Sequence, residues 1–573
     1  MHGETLGRPR NVPRAKQSFP RAMRGRATYE TACLFISRIV KFDVVIAGGG
    51  FAGVNCAQAL ARALGQGSER RVALIADQNY MLFQPMLAEV AGSSLSPRHV
   101  VNPLRGLCRG VTVFRGAINS IDLETRQLEL SAGDFTPNVL IDFEHLALAL
   151  GGIVDLSRVP GMPEHAFLMK NVGDALKLRG ALLDRFEEAN LIADTASLPR
   201  LLTFVVVGGG YSGVETAGQL LDLADSVREL YPRIAGEKFR VVLVHSAPHL
   251  LPEISETLGI YTEEKLRARG VEVILGARVT SMTAGKVTLG DGRVIESHTV
   301  VSTVGNAPHP LIARLCTESG IANEKGRIVT EPTLRVAGQP RLWAAGDCAV
   351  VPKAGGGTCP PTGQFAMRQG TTMGKNLARV LAGRADLAPF AFKGLGSLAA
   401  IGHRTAVAEI MGLKFSGFIA WWMWRTIYLS KLPGIERKLR VMIDWTLDLF
   451  FPRDITLFQP RYTKPLEDIH LEKGDAVFHA GEPAFSFYVV KTGRIELRDA
   501  ADAVVRTLVA GEHFGRRALL EDCTWHYSAI AVEPSTLVVL SARVFDAITR
   551  TSTSVRERLE NLSAPPDASL VEP

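Results

Sequence analysis

The chain has 573 residues, which is too long for one hydrophobic core and predicts three or four domains. Its content of 46% hydrophobic and 21% charged residues is that of an ordinary globular protein and argues against a largely disordered chain. A formal net charge of +7 and a pI near 9.0 indicate an anionic partner without saying which one.

The seven cysteines are scattered, odd in number and never spaced as Cys-x-x-Cys. This pattern argues against a disulfide framework, a zinc site or a dithiol redox centre, and it is typical of a reducing compartment. We therefore expect no metal ion. The cysteines are Cys33, Cys56, Cys108, Cys316, Cys348, Cys359 and Cys523.

Residues 1–40 are strongly basic, with Glu4 and Glu30 as their only acids. Such a composition resembles an organellar transit peptide or a disordered basic arm. The alternative, which we favour, is an upstream extension without a fold, because the first strand is expected to begin only at Phe42. No uninterrupted apolar segment follows the basic residues, so no secretory signal is predicted.

A glycine turn with Gly48, Gly50 and Gly53 follows the apolar run 43–47 and precedes residues 54–64, whose apolar spacing is helical. A second apolar run, 72–75, ends at Asp77. Strand, glycine turn, helix, strand and terminal acid form a complete dinucleotide-binding unit. The glycines let a pyrophosphate approach the helix N-terminus, and the acid binds a ribose hydroxyl.

The unit is repeated with Gly208, Gly210 and Gly213 between the apolar run 204–207 and a helical pattern over 214–223. Its second strand, 240–244, ends on His245 and Ser246 instead of an acid. Two interpretations of the missing acid are open. In the first, Ser246 or a backbone group binds the ribose; in the second, the site tolerates a 2′-phosphate. We favour the first, because no arginine follows to bind a phosphate.

An apolar strand within residues 342–351 ends in Gly346 and Asp347. A carboxylate at the carboxyl edge of a parallel sheet can reach a dinucleotide already held at the first glycine turn. The first nucleotide domain is therefore predicted to be discontinuous, with the second inserted into it. The predicted divisions are an extension at 1–40, the first nucleotide domain at 41–160 and 295–390, the second at 161–294, a helical segment at 391–462, a small β domain at 463–555 and a disordered tail at 556–573.

From about residue 42 to 462 the sequence resembles the two-dinucleotide flavoprotein reductases and, among them, the type II NADH:quinone oxidoreductases. Besides both glycine turns, the resemblance rests on NYMLFQPML at 79–87, VPGMPEHAFLMKN at 159–171, GVE at 213–215, AAGDCA at 344–349, PPTGQFAMRQG at 360–370 and FKGLGSLAAIGH at 392–403. It implies an α/β fold with two Rossmann-like domains, followed here by an amphipathic helical membrane segment and a β-roll.

The resemblance implies FAD in the first site and NADH, or NADPH, in the second, with no redox disulfide. A nicotinamide stacked on a flavin would pass a hydride to it, and two electrons would continue to a quinone. The residues expected to contact the cofactors are Gly48, Gly50, Phe51, Ala52, Gly53, Asp77, Gln84, Gly208, Gly210, Tyr211, Ser212, Gly213, Glu215, His245, Gly305, Gly346, Asp347 and Gln364.

Four residues are expected to take part in catalysis. Glu215 would lie near both rings, where burial could raise its pKa and let it relay a proton to the quinone; the alternative is a carboxylate favoured by the helix dipole. Lys393 matches the family's Lys-Gly position near that glutamate. Gln364 and Gln369 match the family's quinone segment, in which Gly363 replaces the usual alanine.

Residues 415–445 are rich in tryptophan and basic side chains, but their longest charge-free run, 415–424, is far below the roughly 20 residues that span a bilayer. We predict a monotopic contact with the cytoplasmic face of an inner membrane through Trp421, Trp422, Trp424 and neighbouring basic residues. A dimerisation surface is the alternative, and both could hold, since a homodimer is expected. No nucleic-acid partner is expected.

After residue 462 short alternating strands broken by glycines resemble a cyclic-nucleotide-binding β-roll, with turns expected at Gly474, Gly481, Gly493, Gly511 and Gly515. That family's phosphate cassette has a glutamate after Phe-Gly and an arginine about ten residues on. Here Arg516 follows Phe514 and Gly515, and the arginine position falls on Trp525 or His526. We predict that the roll does not bind cAMP in the usual pose and serves interaction, regulation or another anion at Arg516 and Arg517.

The leading prediction is a non-proton-pumping, FAD-dependent NADH:quinone reductase. One alternative is a reductase that prefers NADPH or another acceptor, because His245 and Ser246 replace the acid. The other is a ligand-responsive regulator built on a reductase scaffold, against which the retention of Glu215, Asp347 and Gln364 argues.

Overall fold

The computed structural model describes residues 37–131, 138–192, 195–457, 467–482, 486–515 and 525–541. Residues 1–36, Arg516, Arg517 and the predicted tail lie outside them. The first sheet has the order β21-β22-β8-β1-β2-β5, with the β6–β7 hairpin extending from β8. Its strands are β1 (Ser37–Ala47), β2 (Val72–Ala76), β5 (Thr112–Arg115), β6 (Ala117–Asp122), β7 (Gln127–Ser131), β8 (Val139–Leu148), β21 (Arg335–Val336) and β22 (Gln339–Ala344).

The first sheet is assembled from two distant parts of the chain. β22 pairs in parallel with β8, although the whole second sheet lies between them in the sequence. The core strands β1 and β2 are buried apolar runs, as expected for a parallel sheet covered on both faces. β1 begins at Ser37, five residues before the expected start at Phe42, because it already pairs with β8 there, with a register shift between Ile39 and Phe42.

The second sheet is entirely parallel, in the order β10-β17-β11-β12-β13. Its strands are β10 (Ala166–Leu168), β11 (Thr203–Val207), β12 (Arg240–Val244), β13 (Glu272–Ile274) and β17 (Thr299–Ser302). The predicted division at residue 295 is therefore wrong, because β17 pairs with β11 and carries this sheet to Ser302. A small antiparallel sheet lies before β17 in the sequence and is formed by β14 (Val279–Met282), β15 (Lys286–Leu289) and β16 (Val294–Glu296).

Short groups of two or three strands accompany the two main sheets. The pair β9 (Gly152–Val154) and β18 (Asn306–Pro308) lies where the chain leaves and re-enters the first unit. The others are β3 (Tyr80–Leu82) with β4 (Val101–Pro103), and β19 (Asn323–Glu324) with β20 (Arg327–Val329) and β23 (Ala349–Val350).

Helices cover the faces of both sheets, and glycines set how closely they pack. A Cβ on Gly370 would overlap the carbonyl oxygen of Ala52, so α10 approaches α1 at backbone distance. The helices are α1 (Phe51–Leu64), α2 (Leu87–Ala91), α3 (Leu104–Leu107), α4 (Met162–His165), α5 (Val172–Leu191), α6 (Leu198–Leu201), α7 (Tyr211–Val227), α8 (Glu256–Ala268), α9 (Pro310–Glu318) and α10 (Gly363–Leu381).

A three-stranded antiparallel sheet and two helices follow α10. They are β24 (Gly396–Gly402), β25 (Thr405–Ile410), β26 (Leu413–Ser416), α11 (Gly417–Lys431) and α12 (Ile435–Leu447). The buried Trp424 and Trp445 on these helices belong to the same hydrophobic core as α7. Within the described ranges, no helix combines the length and the hydropathy that crossing a membrane would require.

The C-terminal domain is a β-roll of two antiparallel sheets. One contains β27 (Glu467–Leu471), β29 (Ser486–Thr492), β32 (His513–Phe514) and β34 (Ser535–Ser541), and the other β28 (Ala476–Phe478), β30 (Arg494–Arg498), β31 (Val504–Val509) and β33 (Ser528–Ala531). Gly474, Gly481 and Gly511 lie in turns and Gly493 in a bend between strands, as predicted, whereas Gly515 follows β32 outside a turn; all five glycines have positive φ. In the core of this domain Trp525 stacks on Phe478, with 3.7 Å between the ring centroids.

Candidate functional site

A cleft of about 830 Å³ lies at the carboxyl ends of the strands of the first sheet. The turn after β1 forms part of its wall, with Gly48, Gly50, Phe51 and Ala52 among the lining residues. Gly48 has a φ of +120°, which an L side chain rarely adopts, and a Cβ on Gly53 would overlap the carbonyl oxygen of Gly48. The turn is therefore tight enough to bring the N-terminus of α1 directly to the cleft.

Two acids lie on the same cleft as this turn. Asp77 follows β2, and Asp347 follows β22, from the distant part of the chain. Burial raises the pKa of Asp347, while Lys170 and Arg327 lower it. Gln84 and Gly346 also line the cleft.

This arrangement fits a bound dinucleotide. A Cβ on Gly50 would meet nothing within 4 Å, so the cleft is open where a pyrophosphate approaches the N-terminus of α1. Asp77 lies at the position for a ribose hydroxyl, and Asp347 gives a second carboxylate for the hydroxyls of a longer ligand. The residues present therefore suit FAD.

The N-terminus of α7, which follows the second glycine turn, borders the same cleft, although Gly208, Gly210 and Gly213 are not among the residues that line it. Tyr211 and Ser212, the first residues of α7, line it together with Thr303 from the end of β17. The turn repeats the geometry of the first, since Gly208 has a φ of +114° and a Cβ on Gly213 would overlap the carbonyl oxygen of Gly208. The helices that follow the two glycine turns therefore both begin at one cavity.

His245 supports the second turn. Its Nδ1 accepts a hydrogen bond from the backbone N–H of Gly209 at 3.0 Å. Burial lowers the pKa of His245, as does the nearby His249, and both favour the neutral ring that this hydrogen bond requires. Ser246 is exposed at the strand end. Gly305 does not line the cleft; its carbonyl oxygen accepts from Asp155 between the two units.

Glu215 is buried in α7 behind Tyr211 and is not in the cleft wall. Its Oε1 accepts hydrogen bonds from the Ala400 backbone N–H at 3.2 Å and from Trp424 Nε1 at 3.0 Å. Burial raises the pKa of Glu215 to about 8, although both hydrogen bonds lower it. The carboxyl group therefore retains its proton at neutral pH.

The other three residues expected to take part in catalysis contact the backbone or are exposed. Gln369 is buried, and its Oε1 accepts from the Gly346 N–H at 2.9 Å, so it braces the turn before Asp347. The amide of Gln364 bonds to backbone at Leu395 and Gly396. Lys393 is exposed, and among the described hydrogen bonds to Glu215 none comes from it.

Of the three tryptophans predicted to contact the membrane, Trp424 does not face solvent, and Trp445 on α12 is buried as well. Trp424 is 1% and Trp445 5% exposed, and each donates its indole N–H to a buried glutamate. Trp421 stacks on Arg425 at 4.1 Å, which leaves Trp422 as the exposed member at 59%. An aromatic run does not show which rings point inward, so the sequence missed Trp424 as a partner of Glu215.

Comparison with known proteins assigns the chain to a protein family. Residues 42–370 match the family model described as pyridine nucleotide-disulphide oxidoreductase, residues 395–454 that of the NDH2 C-terminal domain, and residues 468–552 that of the cyclic nucleotide-binding domain. Two type II NADH:quinone oxidoreductases of Mycobacterium tuberculosis, NdhA and Ndh, are 33% and 34% identical, over 70% and 72% of this chain and 86% and 88% of theirs.

Solved structures share the fold. NDH2 from Plasmodium falciparum superimposes with a TM-score of 0.67 at 19% identity, covering 73% of this chain and 100% of that one. A sulfide:quinone oxidoreductase from Aquifex aeolicus gives 0.53 at 15% identity, covering 71% and 95%. At these identities the likeness concerns the fold alone.

Proposed function

Because the chain belongs to the type II NADH:quinone oxidoreductases, we propose that it oxidises NADH at a bound FAD and reduces a quinone without pumping protons. The observation that carries this proposal is that the N-termini of α1 and α7, each preceded by a dinucleotide turn, border one cleft with Asp347 on its wall. FAD, when bound, supplies the transfer of electrons between a two-electron donor and the quinone.

The side chains of the protein bind, orient and hold a proton. The N-termini of α1 and α7 would each receive a pyrophosphate, which brings the two ligands together. Asp77 and Asp347 would fix the first ligand through its hydroxyls, while Gln369 keeps the Gly346 turn in place. Glu215, one helical turn after Tyr211, carries a proton that it would donate to the quinone as the quinone is reduced.

Sulfide as the electron donor is the alternative raised by the shared fold. Cys348 and Cys359 are both buried and free. Burial raises the pKa of Cys348 to about 11, and it raises that of Cys359 as well, so neither is a thiolate at neutral pH. These thiols support NADH, not sulfide, as the donor.

The test of the function uses the purified full-length protein. We expect bound flavin, bleaching of its absorbance by NADH, and NADH oxidation when a soluble quinone analogue is added. NADPH in place of NADH should be slower, since no arginine follows Ser246 to bind a 2′-phosphate. Protein without flavin, or without nucleotide oxidation, would exclude the enzyme.

We further propose that α12 and the segment after it contact the membrane. Ile435, Leu439, Met442, Ile443 and Leu447 recur at helical spacing and are 48–75% exposed, while Val441 and Trp445 on the opposite face are buried. The exposed stripe continues in Phe450 and Phe451, with Phe418, Ile419 and Trp422 exposed on α11. An amphipathic helix with basic neighbours is suited to lie in the headgroup layer.

Replacing Leu439, Met442 and Ile443 with serine should abolish flotation with anionic liposomes, because the variant loses apolar area that would otherwise enter the lipid. The control is Leu176→Ser, Leu191→Ser and Ile260→Ser, which changes exposed apolar residues on α5 and α8. NADH oxidation with a soluble quinone should persist in both variants.

Unchanged flotation together with loss of a dimer on sedimentation would identify the stripe as a homodimer interface instead. Sealed vesicles with an NADH pool on one side would test the proposed cytoplasmic face.

We also propose that the β-roll does not bind cAMP in the usual pose. Trp525, one of two residues at the expected arginine position, fills the core against Phe478 and Phe514. Isothermal titration calorimetry of the full-length protein should therefore detect no binding at cAMP concentrations up to about 100 μM. Micromolar affinity would overturn the argument from the cassette.

A further inference from the structure

Besides Glu215, the described residues include a second buried carboxyl group that the mechanism above does not use. Glu89 on α2 is 5% exposed, and its Oε2 accepts a hydrogen bond from Trp445 Nε1 at 3.1 Å. Burial raises the pKa of Glu89 to about 7, even though Arg425 and the Trp445 hydrogen bond lower it. Glu89 therefore changes protonation near neutral pH.

Glu89 and Glu215 are linked through a pair of indoles. Trp445 binds Glu89 and Trp424 binds Glu215, and the two indole centroids are 6.2 Å apart. The negative charge of Glu89 also raises the pKa of Glu215, so the two carboxyl groups are close enough to interact. A proton on one of them affects the other.

Glu89 borders a second cleft, formed with residues of α7 and of the segment after α12. The cleft measures about 340 Å³, and Glu215 is absent from its lining. Since a water occupies about 30 Å³ of liquid, a polar cleft of this size holds several waters. Gln219, one turn after Glu215 on α7, lines it too and accepts from Arg453 at 3.0 Å. Glu89 therefore has contact with this cleft that Glu215 lacks.

The reaction needs a proton from water. Reducing a quinone to a quinol takes two electrons and two protons, while NADH gives up two electrons and one proton as a hydride. One proton per turnover must therefore come from solvent. Glu215 is buried away from the described cleft surface, so it needs a partner that restores its proton after each transfer.

We propose that Glu89 is a relay residue, which takes a proton from the water in this cleft and passes it to Glu215 for delivery to the quinone. The inference rests on the quinone reductase activity proposed above. The charged groups facing Glu89 are Glu215 from α7, Arg425 from α11, and Asp448 and Arg453 after α12. Charged or titratable residues also line the cleft farther out: Asp222, Asp225, His403 and Arg404.

The test compares the wild type with Glu89→Gln in the full-length, flavin-loaded protein. The amide oxygen can still accept from Trp445, but the side chain no longer exchanges a proton. Quinol formation in stopped flow should slow at least about tenfold and lose its pH dependence near neutrality. Bleaching of the flavin absorbance by NADH takes up no solvent proton and should keep its rate. Infrared difference spectra between acidic and alkaline buffer should lose one carboxylic C=O band, a readout independent of turnover.

Trp445→Phe separates a relay from a structural support. It removes the hydrogen bond to Glu89 but leaves the carboxyl group, so it should lower the Tm while quinol formation keeps a pH dependence near neutrality. If Glu89→Gln lowers the Tm as much as Trp445→Phe and leaves quinol formation unchanged in the flavin-loaded fraction, Glu89 is structural and the relay is refuted. A wild type that does not reduce quinone would refute the proposed function instead, before either variant is compared.

Discussion

Gly53→Ala is expected to yield protein without bound FAD. The new Cβ would overlap the carbonyl oxygen of Gly48, so the turn must open and the N-terminus of α1 must move from the cleft. Overpacking at a fixed backbone costs about 3 kcal/mol, which corresponds to about a hundredfold weaker dinucleotide binding. The measurement is the ratio of flavin to protein absorbance after purification.

Two companion variants make this result specific. Gly106→Ala on α3 meets nothing within 4 Å and should keep its flavin. Gly213→Ala repeats the overlap at the second turn, where the new Cβ would meet the Gly208 carbonyl oxygen. That variant should stay yellow but no longer be bleached by NADH. A colourless Gly213→Ala protein with a native Tm would contradict the assignment of one cofactor to each turn.

Glu215→Gln is expected to slow quinone reduction about a hundredfold, a typical contribution of a positioned acid. The amide retains an oxygen that can accept from Trp424 and Ala400, so packing should be preserved. Rates of flavin bleaching by NADH and of quinol formation, measured separately, should show the loss in the second step. Glu229→Gln, an exposed glutamate just after α7, is the matched control. Equal rates in Glu215→Gln and the wild type would remove Glu215 from the mechanism.

The same variant should change the dependence on pH. Glu215 has a pKa of about 8 in the folded protein against an ordinary value of 4.5, so its protonated form stabilises the fold. That contribution is complete below 4.5 and is lost as the pH rises through about 8. The Tm of Glu215→Gln should therefore fall less than that of the wild type over this range. Quinone reduction by the wild type should decline above about 8, whereas the variant should show no such decline.

The first dinucleotide site was predictable from the sequence because its signals are local. Gly48, Gly50 and Gly53 are required by a turn whose atoms lie within a few residues, and Asp77 ends the very next core strand. Asp347 was found through a motif, although it lies far along the chain. The structure brings all of these residues to one cleft except Gly53, which packs beneath it.

The environment of the glutamates could not be read in the same way. Trp421, Trp422 and Trp424 are neighbours in sequence, yet Trp422 is exposed and Trp424 is buried against Glu215. Helical rotation sends adjacent side chains in different directions, and which direction faces the core depends on where α11 packs. Gln369 was similarly matched to a quinone segment, but packing of α10 against α1 aims it at Gly346.

The sequence by itself determined the two nucleotide units and their order, because tight glycine turns impose backbone constraints that few residues satisfy. The assignment of FAD to the first unit and NADH to the second came from the resemblance to a family, because such turns do not distinguish the two cofactors. It also determined the β-roll, whose glycines lie at positive φ. Only the tertiary structure decided that β17 extends the second unit, that the apolar stripe of α12 is exposed, and that Glu89 and Glu215 are buried against two indoles. Burial and pKa depend on atoms from distant parts of the chain, so no local pattern contains them.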